Sequence, residues 1–544
     1  MVTATEPRSR DNLPPPLVPF NLFDRDPSLS AMVDGLPQPI LNGLSEDGRV
    51  WGAAEMFELG RLANLHPPQL RTHDAYGRRI DRLEVHPAHN ALMRRAVASG
   101  IAASAWNAAG PEAAVRSVAR AARIYMASMV DAGHLALPSA TSASVAALGH
   151  AAPVAEAWVP GMLSGRYDPA DRAAADKSGL TVGFALSERA AGSDREGCTA
   201  EARQSKDGDW LISGHKWFVL PGADGQIALA HSIGGLSAFL VPRFTPDGAA
   251  NAVAIERLKP TIGLRSAAVG EVTFRDAFAW PLGEAGKGVA VIADSIALMR
   301  LDEITAAVGQ MRHAMALAIH HARHRRVNTL PLSDHPLMTR VLADMELDVI
   351  AATGLAFRLA EAHDRADGDP AEAAFVRLMT PVVAYWITRV APAVAAECMD
   401  SLGGSGYAAD GELARIFAAL PAAGLRCGGG NVLCMDVVRL LRRSSDTLET
   451  VLAGIQDSLG RSAQSSLNIL RAAAAVALAE EGSARVFVEQ LAMTAAAAVL
   501  RRRLPSVVSD AFVETRLTKP WRSSYGMLDS RFDARAFLNY LHPR

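Results

Sequence analysis

The chain has 544 residues, 49% of them hydrophobic and 21% charged, with a net charge of -2. That length predicts several layers or domains around more than one small core, and the near-neutral balance gives no global attraction for nucleic acid. Four cysteines (Cys198, Cys398, Cys427, Cys434) lack zinc-ribbon spacing and are too few for a disulfide framework, so a reducing, cytoplasmic setting is expected.

Residues 1–45 are proline-rich and poor in periodicity, which predicts an extended arm. The first twenty have no apolar core of a signal peptide. From Trp51 to Ala175 the pattern is helical. Val97–Trp106, Pro111–Ala132 and Thr141–Leu148 place apolar residues at helical spacing, with breaks expected at Gly110 and Pro138. Near Gly179 the pattern changes to short alternating segments at 179–188, 209–220, 226–232, 237–244 and 269–280, with glycine, proline and aspartate between them. These predict a compact β-domain. Helical periodicity resumes over 289–326, 333–363, 370–402 and 431–443, and an alanine-rich helical region closes the chain. The apolar runs near 472–479 and 491–500 fall short of the ~20 residues that span a bilayer, so no membrane partner is expected. The fold class is mainly α with an inserted β-domain. Four regions follow: an arm and helical domain at 1–178, the β-domain at 179–285, a helix bundle at 286–443 and a C-terminal helical domain at 444–544.

No G-x-G-x-x-G turn joins a strand to a helix, and no Walker-type loop occurs, so a dinucleotide would need a fold other than the doubly wound sheet. Several other blocks stand in a telling order: FALSERAAGSD at 184–194, SGHKWFVLPG at 213–222, the basic cluster Arg323, Arg325 and Arg326, LGGSGY at 402–407 and GGGN at 428–431. Singly, each reads as a loop, a core pair or a solvated helix face. Together, in this order, they resemble the acyl-CoA dehydrogenase superfamily, and ELGRLANLHPPQLRTHDAYGRR (58–79), SGRYDP (164–169) and RLKPTIGLRSAAVGEVTFRDA (257–277) resemble its AidB branch.

The resemblance implies FAD held between the β-domain and the helix bundle of a homotetramer, acting on a small-molecule substrate. It implies flavin contacts from Ser187, Gly192, Ser193, Trp217, Phe218 and Asn431. Gly403 and Gly404 would let backbone approach the diphosphate, and Arg325 would reach a neighbour's FAD. It also implies a C-terminal region linked to DNA binding. Yet residues 444–544 carry 12 basic against 10 acidic residues, a net of +2, with one sharp cluster at Arg501–Arg503. Phosphate binding scales with the cations engaged, so the composition favours helix packing there.

Family dehydrogenases take a proton from the α-carbon of an acyl thioester with a glutamate, which opens an E-G turn before the last bundle helix. Here that stretch is GLRCGGGNV, with Cys427 at the glutamate position and Arg426 at the preceding aromatic one. The family's second base position, on a bundle helix beside the arginine matched by Arg300, holds Met299; Asp302 and Glu303 follow one turn on. Several readings stay open. Cys427 could serve as base or nucleophile, its thiol lowered by Arg426, or simply fill space. The substrate could need no carbon-acid base, as in amine oxidation or flavin-dependent monooxygenation. The protein could also be a DNA-associated flavoprotein without turnover. Arg426 would suit an anionic substrate group. Further departures are Asn328–Thr329, Leu220 and Gly429 at positions usually occupied by flavin-contacting residues. His313, His320, His321 and His324 share helical faces but no carboxylate or cysteine completes a metal site nearby, and no metal is expected.

Overall fold

The computed structural model describes residues 12–460, 463–518 and 533–542; the first eleven residues of the expected arm lie outside them. The arm is less extended than its composition predicts. After Asn12–Asp26 the chain turns into helices Pro27–Met32 and Gln38–Trp51. Asp26 starts the first by accepting from the Ser28 and Leu29 amides, with Pro27 at the first helical position. The preceding segment lies on the second helix through Leu22 N–H to Gly48 O and Phe20 N–H to Gly52 O. A Cβ at Gly52 would stand 1.7 Å from the Phe20 oxygen, so only glycine admits this contact.

The region expected to be wholly helical contains an antiparallel hairpin, β1 (Gln69–His73) and β2 (Arg79–Glu84). Its turn is closed by Asp74, whose carboxylate accepts from the Tyr76 and Arg78 amides. The long helix expected from Pro111 starts as a 3-10 turn at Gly110–Val115 and becomes α-helix at Arg116–Val130. Pro138 does not break its helix: it stands in the first turn of Ala136–Leu148, where no intrahelical N–H is needed.

The β-domain is a small barrel. Its strands are β3 (Val182–Ala185), β4 (Glu201–Gln204), β5 (Trp210–Val219), β6 (Gly225–Ser232), β7 (Gly235–Pro242), β8 (Val253–Leu258) and β9 (Gly270–Leu282). Pairings β4–β5, β5–β9, β9–β7, β7–β6 and β6–β4 close the ring, while β3 adds in parallel to β6 and β8 pairs with β9. Alternate apolar side chains such as Ile212, Phe239 and Phe274 fill the interior.

Four helices form the bundle: Ala293–His324, Pro336–Arg365, Pro370–Leu402 and Gly430–Arg443. Helix Glu412–Arg426 returns along the first and third toward the start of the fourth. The C-terminal helices, Ala484–Arg503 foremost, pack on the second and third. Alanines at 492 and 495–497 are buried there, and Gly354 lets Val499 approach. By length and composition Pro370–Tyr407 and Glu481–Arg503 could cross a membrane, but 78% and 67% of their apolar windows are buried inside the fold. Their hydrophobicity serves a core shared by the bundle, the N-terminal helices and the C-terminal helices.

Candidate functional site

The segment 184–194 leaves β3 and turns across the barrel beside β5, where Trp217 N–H donates to Ser187 O at 2.8 Å. Ser187 is half-buried, while Gly192 and Ser193 are exposed and nothing lies within 4 Å of a Cβ built at Gly192. Glu188 points inward. Its carboxylate takes Lys216 Nζ at 2.6 Å, Thr199 N–H at 2.6 Å, Thr199 Oγ1 at 2.7 Å and Cys198 Sγ at 2.8 Å. Burial is the largest influence and raises the Glu188 pKa, but these hydrogen bonds outweigh it and hold the group at about 2. The pair Trp217–Phe218 divides its duties. Lys259 Nζ sits 3.4 Å over the Trp217 ring and 4.6 Å from the Phe218 centroid, and Arg189 caps Trp217 at 5.1 Å; Phe218 is the more exposed ring of the two, at 53%.

The turn at 424–431 meets the first bundle helix. Arg300 Nε donates to Cys427 O at 2.9 Å, and its Nη2 to Asp436 at 2.7 Å. The guanidinium therefore holds the turn against the fourth helix. Arg195, just after the Gly192–Ser193 segment, lies within electrostatic range of Arg300 and Asp436, which brings the barrel loop to the same place. Asp302 is buried and gripped by both Nη atoms of Arg120, which occupies its two carboxylate oxygens. Arg426 does not turn to the thiol. Its Nη2 lies 2.6 Å from Glu303 Oε1. Burial pushes the Cys427 thiol up to about 12, Glu303 adds to the rise, and Arg300, Arg426 and Arg389 oppose it too weakly. Arg426 does act to lower the thiol, as expected, but burial outweighs it and the net shift is upward. Burial also raises the Glu303 carboxyl, with Arg426 opposing and Asp302 reinforcing. Asp302, Glu303, Gln310 and Arg426 line a cavity of about 10 Å³, room for about one water. Asn431 accepts from Arg485 Nε of the C-terminal domain at 2.9 Å.

Within one chain the remaining expected contacts stand apart from this cluster. Arg325 follows the end of the helix that carries Arg300, which places it roughly 36 Å away at 1.5 Å per residue. It donates to Asn12 O of the arm. Gly403 and Gly404 follow the end of the helix that carries Arg389, roughly 20 Å farther along the same rise.

Models of three domains match the chain in order: the AidB N-terminal domain of the adaptive response protein over residues 12–169, the acyl-CoA dehydrogenase middle domain over 183–277 and the acyl-CoA dehydrogenase C-terminal domain over 286–441. The putative acyl-CoA dehydrogenase AidB of Escherichia coli is 39% identical over 440 residues, 80% of either chain. The chain belongs to the acyl-CoA dehydrogenase family. Among solved structures, Caenorhabditis elegans ACDH-11 in complex with C11-CoA superposes with a TM-score of 0.83 at 22% identity, over 99% of this chain and 94% of that one. An acyl-CoA dehydrogenase of Bacillus anthracis complexed with FAD superposes with a TM-score of 0.67 at 16% identity, over 90% and 86%. Both likenesses concern the fold.

Residues that sequence reasoning missed are the ones whose partners are distant in the chain. Arg120, Lys216, Arg195 and Arg485 are not singled out, because each finds its partner only after strands or helices pack; Glu188 belongs to the 184–194 block, but its lysine partner is likewise set by packing. A second such group is Glu271, 3% exposed, which gathers Arg257, Lys259, Arg189 and His215 beneath Trp217. His313 is taken by Glu412, and His320 by Pro15 O; among the described residues no three His, Cys, Asp or Glu side chains stand together as a metal site. In the tail cluster, Arg501 pairs with Asp510 and Arg503 with Glu361.

Proposed function

We infer that this protein is an FAD-dependent oxidoreductase that performs a two-electron, dehydrogenase-type oxidation on a small substrate with an anionic group. The cofactor is FAD, as for the family relatives described as complexed with FAD or FADH2. The residues present suit it: a Cβ would meet nothing within 4 Å at Gly192, Gly403, Gly404 or Gly429, so backbone is open to a ligand at each. Gly403 and Gly429 have φ of +61° and +73°, which favours glycine there. Bound FAD supplies a two-electron acceptor. Phe218 offers its face to the ring, Ser187 a hydroxyl donor, and the Gly403–Gly404 backbone amides a place for phosphate.

The observation that carries the substrate reading is the Arg426–Glu303 pair in a cavity with room for about one water. Its other walls are mostly small apolar side chains, among them Leu135, Leu264, Ala306 and Ala419, so Arg426 and Glu303 are the charged groups that would set substrate preference there together with Asp302. A short substrate ending in a carboxylate meets the planar fork of Arg426 in two hydrogen bonds. The distance along the first bundle helix between Arg300 and the Arg325 end supports a homo-oligomer, in the family's manner a homotetramer, in which one chain's Arg325 serves its neighbour's flavin. Four free, buried cysteines suit a cytoplasmic setting. The test is to purify the yellow protein, reduce it by light without oxygen, and follow reoxidation by air against an electron-transfer acceptor, then repeat the reduction with acyl-CoAs of two to twelve carbons. Reduction by long straight-chain acyl-CoAs as fast as by short ones would refute the small-substrate reading.

A further inference from the structure

A cavity of about 680 Å³ lies between strand β2, the start of helix Pro87–Ala98, the start of helix Ala136–Leu148 and the barrel loop at 220–224. That is the size of a small-molecule site. None of the residues assigned above to FAD lines it, although Leu220, just past the end of β5, does. Three buried atoms of its lining have no hydrogen-bond partner among the described residues, and all three can accept: Asp81 Oδ1, His89 Nδ1 and His134 Nε2. Asp81 and His134 are 5% and 1% exposed. The Asp131 carboxylate takes His134 Nδ1 at 3.0 Å, so Nε2 is the ring nitrogen left over, and the charge behind the ring makes it a stronger acceptor. Burial, with His134 second, holds His89 down at about 4, and its ring bonds the Ser266 backbone, so it stands neutral. Asp81 Oδ2 is occupied by Arg79 and the Ile255 amide, which leaves Oδ1. The donors of the wall are engaged by contrast: Lys177 with Asp224, Arg243 with the Ile80 and Asp81 carbonyls, and the Tyr167 hydroxyl with Asn90. Arg82 is exposed.

We propose that this cavity binds a small organic amine as its ammonium ion, held by His89 and His134, with Asp81 supplying negative charge. The inference goes beyond the oxidation and does not depend on it. The two imidazoles lie within electrostatic range of each other. An ammonium carries three donors and no acceptor, the complement of a wall whose unpartnered atoms accept. A cation is favoured over a neutral donor because Asp131 stands behind one imidazole and Asp81 keeps one oxygen free. A carboxylate ligand would bring further acceptors to the same atoms and leave both sides unpaired. Leu83, Leu137, Leu220 and Ile255 also line the cavity and suit an apolar body. The ligand class is a primary amine on a hydrocarbon frame.

The experiment is titration calorimetry of the full-length flavoprotein with three probes of similar shape: 2-phenylethylamine, 2-phenylethanol and 3-phenylpropionate. The amine should bind with a Kd below about 1 mM, at least about tenfold tighter than the alcohol, and the carboxylate should give no heat of binding. His89→Leu should weaken the amine at least about tenfold, the usual loss for a charge-assisted hydrogen bond. Asp81→Asn should weaken the amine and leave the alcohol unchanged; asparagine suits the φ of +44° at this position. Alcohol or carboxylate binding as tightly as the amine, or no heat with the amine, overturns the proposal. Amine binding unchanged in either variant overturns it too, because the amine then sits elsewhere. The flavin spectrum and thermal midpoint check that each variant folds. Should one fail, the other variant and the order of the three probes on the wild type decide. Failure leaves the flavin reading untouched, since no residue assigned to FAD lines the cavity.

Discussion

At Cys427 burial dominates charge. Three arginines surround the thiol, yet removal from water pushes it up to about 12, because a thiolate there would lose more solvation than the guanidiniums return. A thiol at that value holds on the order of 10³-fold less thiolate at neutral pH than a free thiol near 8.5. Iodoacetamide should therefore label Cys427 in the native protein far more slowly than a free thiol at pH 7.5, and mass spectrometry of the labelled protein checks this. Cys427→Ser should leave flavin content unchanged. Rapid labelling would restore the thiol as a catalytic candidate. The sequence pointed to this turn but left open whether Arg426 turns toward the thiol or away from it. Neighbours in sequence at a helix end point in different directions, and Arg426 finds Glu303 across the helix interface.

The barrel depends on an ion pair with no solvent to share it. Glu188 and Lys216 are 5% and 0% exposed, and Lys216 also donates to Leu229 O at 2.6 Å, so the pair ties the 184–194 segment to β5 and β6. Lys216→Met removes the ammonium and leaves the carboxylate buried, which costs about 3–5 kcal/mol; thermal unfolding followed by circular dichroism should show a lowered midpoint. The pH dependence has a definite sign. Glu188 is depressed to about 2, so its stabilisation is complete above an unfolded value near 4.5 and drains away as pH falls through about 2. Glu188→Gln should flatten the acid limb of the stability curve in that window, and an unaltered limb would show that the pair contributes little. The strands themselves were legible as alternating segments. Their closure into a ring, and the pairing of Glu188 with a lysine 28 positions away, depend on register that no local pattern encodes.

The whole molecule is locked from its far end. Asp344, Glu346 and Asp348 on the second bundle helix are all 0% exposed. Arg516 serves the first and third, at 2.5 Å and 3.0 Å, and Arg312 with His542 serves the second. Arg516→Leu withdraws a guanidinium from two buried carboxylates and should cost about 3–5 kcal/mol, read as a fall in the denaturant midpoint; a change under about 1 kcal/mol would argue against this lock. The flavin contacts divide at the same scale. If Arg325 of one chain completes the site of another, Arg325→Ala chains co-expressed with Gly192→Glu chains should carry more FAD per chain than either variant alone. Equal or lower flavin content in the mixture would place Arg325 outside the site.

By itself the sequence determined most element types, though not the 69–84 hairpin or the helices of the arm, and with them the order of helical region, β-domain and bundle and the blocks that announce the family, because periodicity, turn residues and glycine requirements are local properties. At the two positions that the resemblance matches to the family's base it reads Met299 and Cys427, neither of them a carboxylate. Tertiary structure alone decided which charges meet. Asp302 and Glu303 are adjacent in the chain and chemically alike, yet successive helix positions point about 100° apart. One therefore faces Arg120 and is spent on packing, while the other faces Arg426 and the cavity. The same cause separates half-buried Trp217 from exposed Phe218 on β5, because side-chain direction belongs to the element and the partner to the fold.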